Sequence, residues 1–473
     1  MKTRAAFSLL SLIFTTIYIG VLAQDSATIK GDWSGVLDAG AAKLKLVLHF
    51  TPEANGTWRG TMDSPDQAAN GLKIDTITVE GQTLKFVMNA LGASYEGTLN
   101  GSEITGKFTQ GGVTFSLNFR RPTAADTAPP KRPQTPQPPY PYNAEEVTFE
   151  NAAANIKLAG TLTTPRTKAP FPAVVLITGS GPQNRNEELL GHHPFWVLSD
   201  HLTRAGIAVL RFDDRGVGKS TGKFGTATSA DFASDVLAGV AYLKTRPEIN
   251  AKKIGLIGHS EGGLIAPMCA VQSKDVAFIV LMAGPGVPGD EILYEQGALI
   301  MRAEGTPEAA IAENRKTQEK MFAIIKAEND AASAEKKLME LVATVVATAP
   351  EAQKKTVEAS LNAQVKTVNA PWFRYFLTFD PRPNLRQVKV PVLALNGELD
   401  LQVSPKQNLP EIAKALKAAG NKNFQTVELP KLNHLFQTTK TGAFSEYAKL
   451  EETMSPTALT LMSDWIVKQA GGR

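Results

Sequence analysis

Residues 258–263 read Gly-His-Ser-Glu-Gly-Gly and follow Lys253-Ile254-Gly255-Leu256-Ile257, an apolar run with the length and character of a buried strand. Few backbone paths suit such a segment. It matches a sharp strand-to-helix turn that leaves Ser260 exposed above a parallel sheet. The serine must take a strained backbone conformation there. Side chains at 258 and 262 would strike the neighbouring strand or helix, so both positions call for glycine. Residues 264–270 read as the following helix, with Pro267 expected to be tolerated only near its first turn. The N-terminus of that helix aims amides and positive dipole at the serine.

The surrounding pattern agrees with this turn. Strands are expected at 173–178, 207–212, 253–258, 278–283, 391–396 and 424–429, alternating with helices, after an opening hairpin at 147–149 and 157–162. This implies an α/β architecture, a mostly parallel sheet with helices on both faces. From Gly284 to about Leu385 no core strand is expected, and Ala, Glu, Lys and Met recur at helical spacing. Residues 288–380 read as a helical cap inserted over the catalytic edge. Met301, Met321, Phe322, Trp372, Phe373 and Phe376 are its bulkiest candidates for a pocket wall. A solvated helical hairpin is the alternative for the same stretch.

Before this unit the chain changes character. Residues 122–143 hold eight prolines and, apart from Tyr140 and Tyr142, almost nothing apolar. They read as an extended, semi-rigid linker. Residues 24–121 alternate as strands do: Leu44, Leu46, Leu48 and Phe50 share one face, and Lys43, Lys45 and His49 the other. Further runs at 75–79, 84–88, 94–99, 103–108 and 113–119, with Gly-containing turns, predict a small antiparallel β domain, a closed barrel or a curled sheet. It holds no catalytic or metal cluster, which suits a folding or docking module.

Residues 1–23 combine a basic start with an uncharged stretch and a small-residue end at Val21-Leu22-Ala23, the pattern of a cleaved secretory signal peptide. The expected location is secreted or periplasmic. The formal net charge is +4, and Lys2 and Arg4 supply two of those units. That balance proposes neither nucleic acid nor stable membrane association. Cys269 is the only cysteine, so no intrachain disulfide can form.

A serine nucleophile needs a base, itself oriented by an acid. On a sheet of this type the chain order is Ser, acid, His, each after its own strand. His434 is the only histidine beyond Ser260, and it follows the strand at 424–429. Asp400 and Glu398 both follow the strand at 391–396. Asp400, placed just before the next helix, is the favoured acid, with Glu398 a solvated loop charge. Two backbone amides should form an oxyanion hole. One belongs to Glu261; the other is assigned to Ser180, in the loop Thr178-Gly179-Ser180-Gly181-Pro182. Gly216-Val217-Gly218-Lys219-Ser220 imitates the end of a phosphate-binding loop, but position 213 is aspartate where that loop needs glycine.

Four segments occur in a telling order: Gly179-Ser180-Gly181-Pro182-Gln183-Asn184-Arg185-Asn186, Arg211-Phe212-Asp213-Asp214-Arg215-Gly216-Val217-Gly218-Lys219-Ser220, the 258–263 hexapeptide, and Asn433-His434-Leu435-Phe436. Over residues 144–473 the chain resembles bacterial α/β-hydrolases of the serine carboxylesterase and S33/S9-like peptidase clan. The resemblance implies an α/β-hydrolase fold with Ser260, Asp400 and His434 as triad. Thr178 departs from the histidine that many relatives carry before the oxyanion glycine. The implied activity is hydrolysis of small-molecule carboxylic esters through an acyl-enzyme, with no metal and no organic cofactor. Two alternatives stand beside it: an aminopeptidase-like serine peptidase on the same triad, and a ligand-binding surface protein with a degenerate hydrolase fold.

Overall fold

The computed structural model describes residues 28–471, apart from 39–42, 66–68, 111–112, 124–130, 350 and 352–353. The expected leader at 1–23 lies outside the described residues, as does part of the proline-rich segment.

The first unit has nine strands: β1 (Gly31–Asp38), β2 (Lys43–Pro52), β3 (Trp58–Ser64), β4 (Ala69–Ile74), β5 (Thr76–Glu80), β6 (Thr83–Met88), β7 (Ala93–Asn100), β8 (Glu103–Gln110) and β9 (Val113–Arg120). All pairings are antiparallel, in the order β4-β3-β2-β1-β9-β8-β7-β6-β5. Only Asp75 separates β4 from β5, so residues 69–80 act as one bent strand. It pairs with β3 at one end and with β6 at the other, which closes the sheet into a barrel. A Cβ on Gly60 of β3 would lie 2.9 Å from Ile77 of β5, which shows how close the seam is. Leu46, Leu48 and Phe50 point inward as their alternation predicts, beside Trp33, Phe86 and Phe119. Strands β1, β3 and β4 were not anticipated. They are rich in glycine and small polar residues, and their pairing comes from neighbours rather than from apolar alternation.

The proline-rich segment is not a free spacer over its described second half. Arg132 donates to the carbonyls of Leu450 (2.9 Å), Leu190 (2.9 Å) and Ala448 (3.0 Å). Gln134 donates to the Met454 carbonyl at 2.7 Å and accepts from the Thr453 and Met454 amides. Proline prevents a helix here, but carbonyls of the next unit accept from Arg132 and Gln134 and fasten the segment down.

That next unit holds eight strands: β10 (Tyr142–Asn151), β11 (Ile156–Pro165), β12 (Phe171–Ile177), β13 (Ala208–Phe212), β14 (Ile249–His259), β15 (Phe278–Met282), β16 (Val392–Gly397) and β17 (Phe424–Leu429). Their order is β10-β11-β13-β12-β14-β15-β16-β17. The β10–β11 and β11–β13 pairs are antiparallel and the others parallel. The order reverses at β12, which has β13 on one side and β14 on the other. Crevices at such reversals, beyond the carboxyl ends of the strands, are where open α/β sheets place their sites.

Helices α1 (Pro194–Arg204), α2 (Ser229–Thr245) and α3 (Glu261–Gln272) follow β12, β13 and β14. Between β15 and β16 come α4 (Gly289–Ala303), α5 (Glu308–Ala327), α6 (Ala331–Thr348), α7 (Lys354–Val368), α8 (Pro371–Thr378) and α9 (Arg382–Leu385). Then α10 (Pro405–Ala418), α11 (Phe444–Tyr447) and α12 (Pro456–Gln469) complete the chain. One face of the sheet packs on α2, α3 and α10, through residues such as Val236, Leu264 and Ile412. The other packs on α1 and α12, through Leu198 and Met462. The helical insertion has a core of its own, around Met321, Phe322, Leu338 and Val365.

Candidate active site

Ser260 joins the last residue of β14 to the first of α3, with φ 53° and ψ −115°. Two hydrogen bonds hold this strained residue: its amide to the Met282 carbonyl (2.8 Å) and its carbonyl to the Gly263 amide (2.9 Å). The flanking glycines are sterically required. A Cβ on Gly258 would lie 1.9 Å from the Gly262 carbonyl oxygen, and one on Gly262 would lie 2.2 Å from that of Ile177. Pro267 sits farther into α3 than its first turn, against expectation. It removes the amide that would bond the Gly263 carbonyl, and the buried packing of α3 holds the helix regardless.

Asp400 lies beyond the end of β16 and His434 beyond β17. His434 Nδ1 stands 2.8 Å from Asp400 Oδ2, and both side chains are buried. The other carboxylate oxygen accepts the amides of Gln402 (2.8 Å) and Val403 (2.9 Å). This arrangement fixes the ring with Nδ1–H towards Asp400 and leaves Nε2 free to exchange a proton. Glu398 is exposed, and its side chain accepts the Lys431 amide at 2.9 Å, away from His434. Among the described residues, Ser260 Oγ and His434 Nε2 make no hydrogen bond with each other, a contact that often tightens only when substrate binds.

On the opposite side stands the loop after β12. The Gly179 amide is taken by Glu187 Oε1 at 2.7 Å, whereas the Ser180 amide has no partner among the described residues. Glu261 supplies the first amide of α3. Thr178, the departure from many relatives, donates its hydroxyl to Asp214 Oδ1 at 2.8 Å, and the Gln183 amide reaches Asp214 Oδ2 at 3.0 Å. Burial, reinforced by Glu261 and Glu187 nearby, pushes the Asp214 carboxyl up to about 8. Asp213 grips Arg185 through its amide (2.9 Å), Nε (3.0 Å) and Nη2 (2.9 Å), and it also accepts the Lys219 amide. The segment that imitates a phosphate loop thus scaffolds the 179–186 loop.

Four contacts at this site were invisible in the sequence. His259, next to Ser260, puts Nδ1 2.9 Å from Glu187 Oε1 and Nε2 3.0 Å from the His434 carbonyl oxygen. Burial opposes its charge, but the Glu187 carboxylate and its hydrogen bond prevail and raise the imidazole's pKa. Glu261 Oε1 accepts Ser229 Oγ (2.6 Å) and the indole Nε1 of Trp372 (2.7 Å), and burial raises its carboxyl's pKa. Glu187 lies 72 positions from His259, and Trp372 lies 111 from Glu261, so no local pattern could signal either pair.

The six bulky candidates of the insertion divide. Met301, Met321, Phe322 and Phe373 line a cavity of about 560 Å³ whose walls come wholly from the helices of the insertion. Trp372 points to Glu261 instead and stacks on Phe376, with ring centroids 5.3 Å apart, while Phe376 joins the core beneath.

Residues 195–438, just over half of the chain, match the family model of serine aminopeptidase S33. The chain is similar to esterase EstD of Thermotoga maritima, 32% identical over 139 residues, which are 29% of this chain and 33% of that protein. It thus spans about a third of the length of the curated relative it matches. Among solved structures, the Pyrococcus furiosus esterase Pf2001 shares 20% identity, with 70% of this chain and 93% of that chain covered and a TM-score of 0.41. Est1E of Butyrivibrio proteoclasticus, solved with ferulic acid bound, shares 16% identity, with 69% and 99% covered and a TM-score of 0.40. With Ser260 on a strand-to-helix turn at the centre of a mostly parallel sheet, the chain belongs to the serine aminopeptidase S33 family and has the α/β-hydrolase fold.

Proposed function

We propose that the protein cleaves carboxylic esters of small molecules by two-step acyl transfer to water. The observation that carries this reading is the buried 2.8 Å contact between His434 Nδ1 and Asp400, at the same end of the sheet as the strained Ser260. Ser260 Oγ attacks the acyl carbonyl while His434 Nε2 takes its proton. The amides of Ser180 and Glu261 hold the developing oxyanion. As the tetrahedral intermediate collapses, His434 returns the proton to the departing alkoxide, leaving an acyl-serine. Water then attacks, its proton passing to His434, and the acid departs as Ser260 regains its hydrogen. Asp400 holds the imidazole in place and stabilises the positive charge it acquires.

An ester is favoured because an alkoxide leaves more readily than an amine, and the matched Thermotoga protein is named an esterase. Aminopeptidase action is the second reading, favoured by the description of the family itself. Purified protein offered p-nitrophenyl esters of increasing acyl length beside aminoacyl-p-nitroanilides decides between them. Turnover confined to the anilides moves the assignment to peptidase. The insertion over 288–380 acts, in this reading, as a cap over the catalytic edge. Export through a cleaved leader at 1–23 to periplasm or medium completes the proposal, and N-terminal sequencing of protein recovered outside the cytoplasm tests it.

A further inference from the structure

Strand β13 breaks its own pattern. Ala208, Leu210 and Phe212 face the core on the α2 and α3 side, and Val209 faces the core on the α1 and α12 side. The next residue on Val209's face is Arg211, only 6% exposed where an aliphatic side chain would be expected. Burying a guanidinium is costly unless a negative charge meets it. None does. Arg211 donates from Nη1 to the neutral amide oxygen of Asn186, lies 5.7 Å from the centre of the Trp196 ring, and keeps a buried Nε with no partner.

Its neighbour makes the contrast. Arg185 lines the same cavity and is fully matched, by Asp213 at 2.9 Å and by Glu146 at 2.8 Å. Lys219 also leans on Glu146, at 3.5 Å. Of these cations, Arg211 alone has no carboxylate within ion-pair distance. Burial and the nearby Arg185 together lower the Arg211 pKa to about 10.

The unmatched guanidinium opens on a cavity of about 280 Å³ at the antiparallel edge of the sheet. Its floor is a row in register across three strands: Glu146 beside Thr161 beside Arg211. Its lining is aromatic, with Trp196 of α1 and the stacked pair Tyr140 and Tyr142. Those two rings lie 5.3 Å apart and 6° from parallel. Ser260, Asp400 and His434 are not among the lining residues.

We propose that this cavity binds a small organic carboxylate with a flat apolar body, its carboxylate on Arg211 and its body between Trp196 and Tyr140. A guanidinium edge matches a carboxylate in geometry and charge. A single unpaired guanidinium suits a monoanion, and Glu146 in the same floor disfavours a phosphate dianion. The flat body answers to the aromatic walls. The proline-rich segment brings Tyr140 to this place, so the segment helps build the pocket.

Calorimetric titration of the full chain with sodium benzoate, and with benzamide as its neutral counterpart, tests the proposal. Saturable binding of one benzoate per chain is expected, with benzamide at least tenfold weaker. Arg211→Met should weaken benzoate at least tenfold and leave benzamide unchanged. Should that variant fail to fold, Tyr140→Ala, altered only at the pocket's edge, decides: benzoate affinity should fall several-fold with the circular dichroism of the native protein. Ser260→Ala should bind benzoate as the native protein does. Absence of saturable benzoate binding, equal binding of benzamide, or undiminished affinity in the folded pocket variants overturns the proposal.

Discussion

His259 bridges the two halves of the candidate active site: Nε2 stands 3.0 Å from the carbonyl oxygen of His434, and Nδ1 stands 2.9 Å from Glu187 Oε1. The same Glu187 oxygen holds the Gly179 amide at 2.7 Å. One buried pair therefore ties the His434 loop to the loop that carries Ser180. The Gly179 amide is thereby occupied, and in the proposed mechanism the next amide along, that of Ser180, serves as the oxyanion donor. Glu187→Ala should lower kcat roughly tenfold, about 1.4 kcal/mol of barrier, with KM little changed. Glu187→Gln, which keeps an acceptor for Gly179, should recover part of that loss. Equal losses in kcat for both variants, tracking a fall in melting temperature, would reduce the pair to a structural role.

Loss of Ser260 Oγ should abolish ester turnover while the fold survives. Ser260→Ala and His434→Ala should lose comparable activity, and the double variant little more, because the triad acts as a unit. Asp400→Asn should cost roughly 10⁴-fold in kcat, since an amide no longer holds the required tautomer. Steady-state kinetics beside far-ultraviolet circular dichroism checks all four. A His434→Ala protein with near-native turnover would sink the assignment.

Asp214 makes stability depend on pH. Its folded pKa, raised by burial to about 8, lies above the unfolded carboxyl's ordinary value. Between those two values the unfolded chain binds fewer protons than the folded one, so this group's contribution falls as pH rises. It is fully present below the unfolded pKa and lost on passing 8. Denaturant titrations at pH 5 and pH 9 should show a larger loss for the native protein than for Asp214→Asn. A difference of the opposite sign would contradict the assignment.

The indole of Trp372 fastens α8 to Glu261, the residue after Ser260. Trp372→Phe keeps the stacking on Phe376 but removes the bond to Glu261, at a cost of about 1 kcal/mol in stability. Alanine at Met301, Met321, Phe322 or Phe373 should destabilise the insertion's own core. The acyl-length profile should respond to Trp372 before it responds to those four. A profile shifted by the four and indifferent to Trp372 would instead put their cavity in the substrate path.

The docked segment predicts where the chain is cut. Arg132 and Gln134 bind carbonyls of the hydrolase unit, so limited proteolysis should act before Lys131 rather than between Lys131 and Asn143. A chain beginning at Lys131 should fold, and should melt higher than one beginning at Asn143. Equal melting temperatures would show that the docking contributes nothing.

What the sequence determined by itself was whatever acts over a few residues. Glycine at 258 and 262 is dictated by the turn, and those contacts are indeed impossible for any Cβ. Strand ends placed Asp400 and His434, and the aliphatic runs located every strand of the central sheet to within a few residues. Tertiary structure decided whatever needed a distant partner. The barrel closes because a single strand bends at Asp75 and pairs on both sides, which no periodicity within residues 69–80 records. Glu187 finds His259, and Trp372 finds Glu261, only once the sheet has brought their loops together. Arg211 read as one letter of a loop motif until β11, α1 and the proline-rich segment enclosed it. Short-range sterics and alternation are written in neighbouring residues, whereas the pairing of a buried charge depends on which elements pack around it.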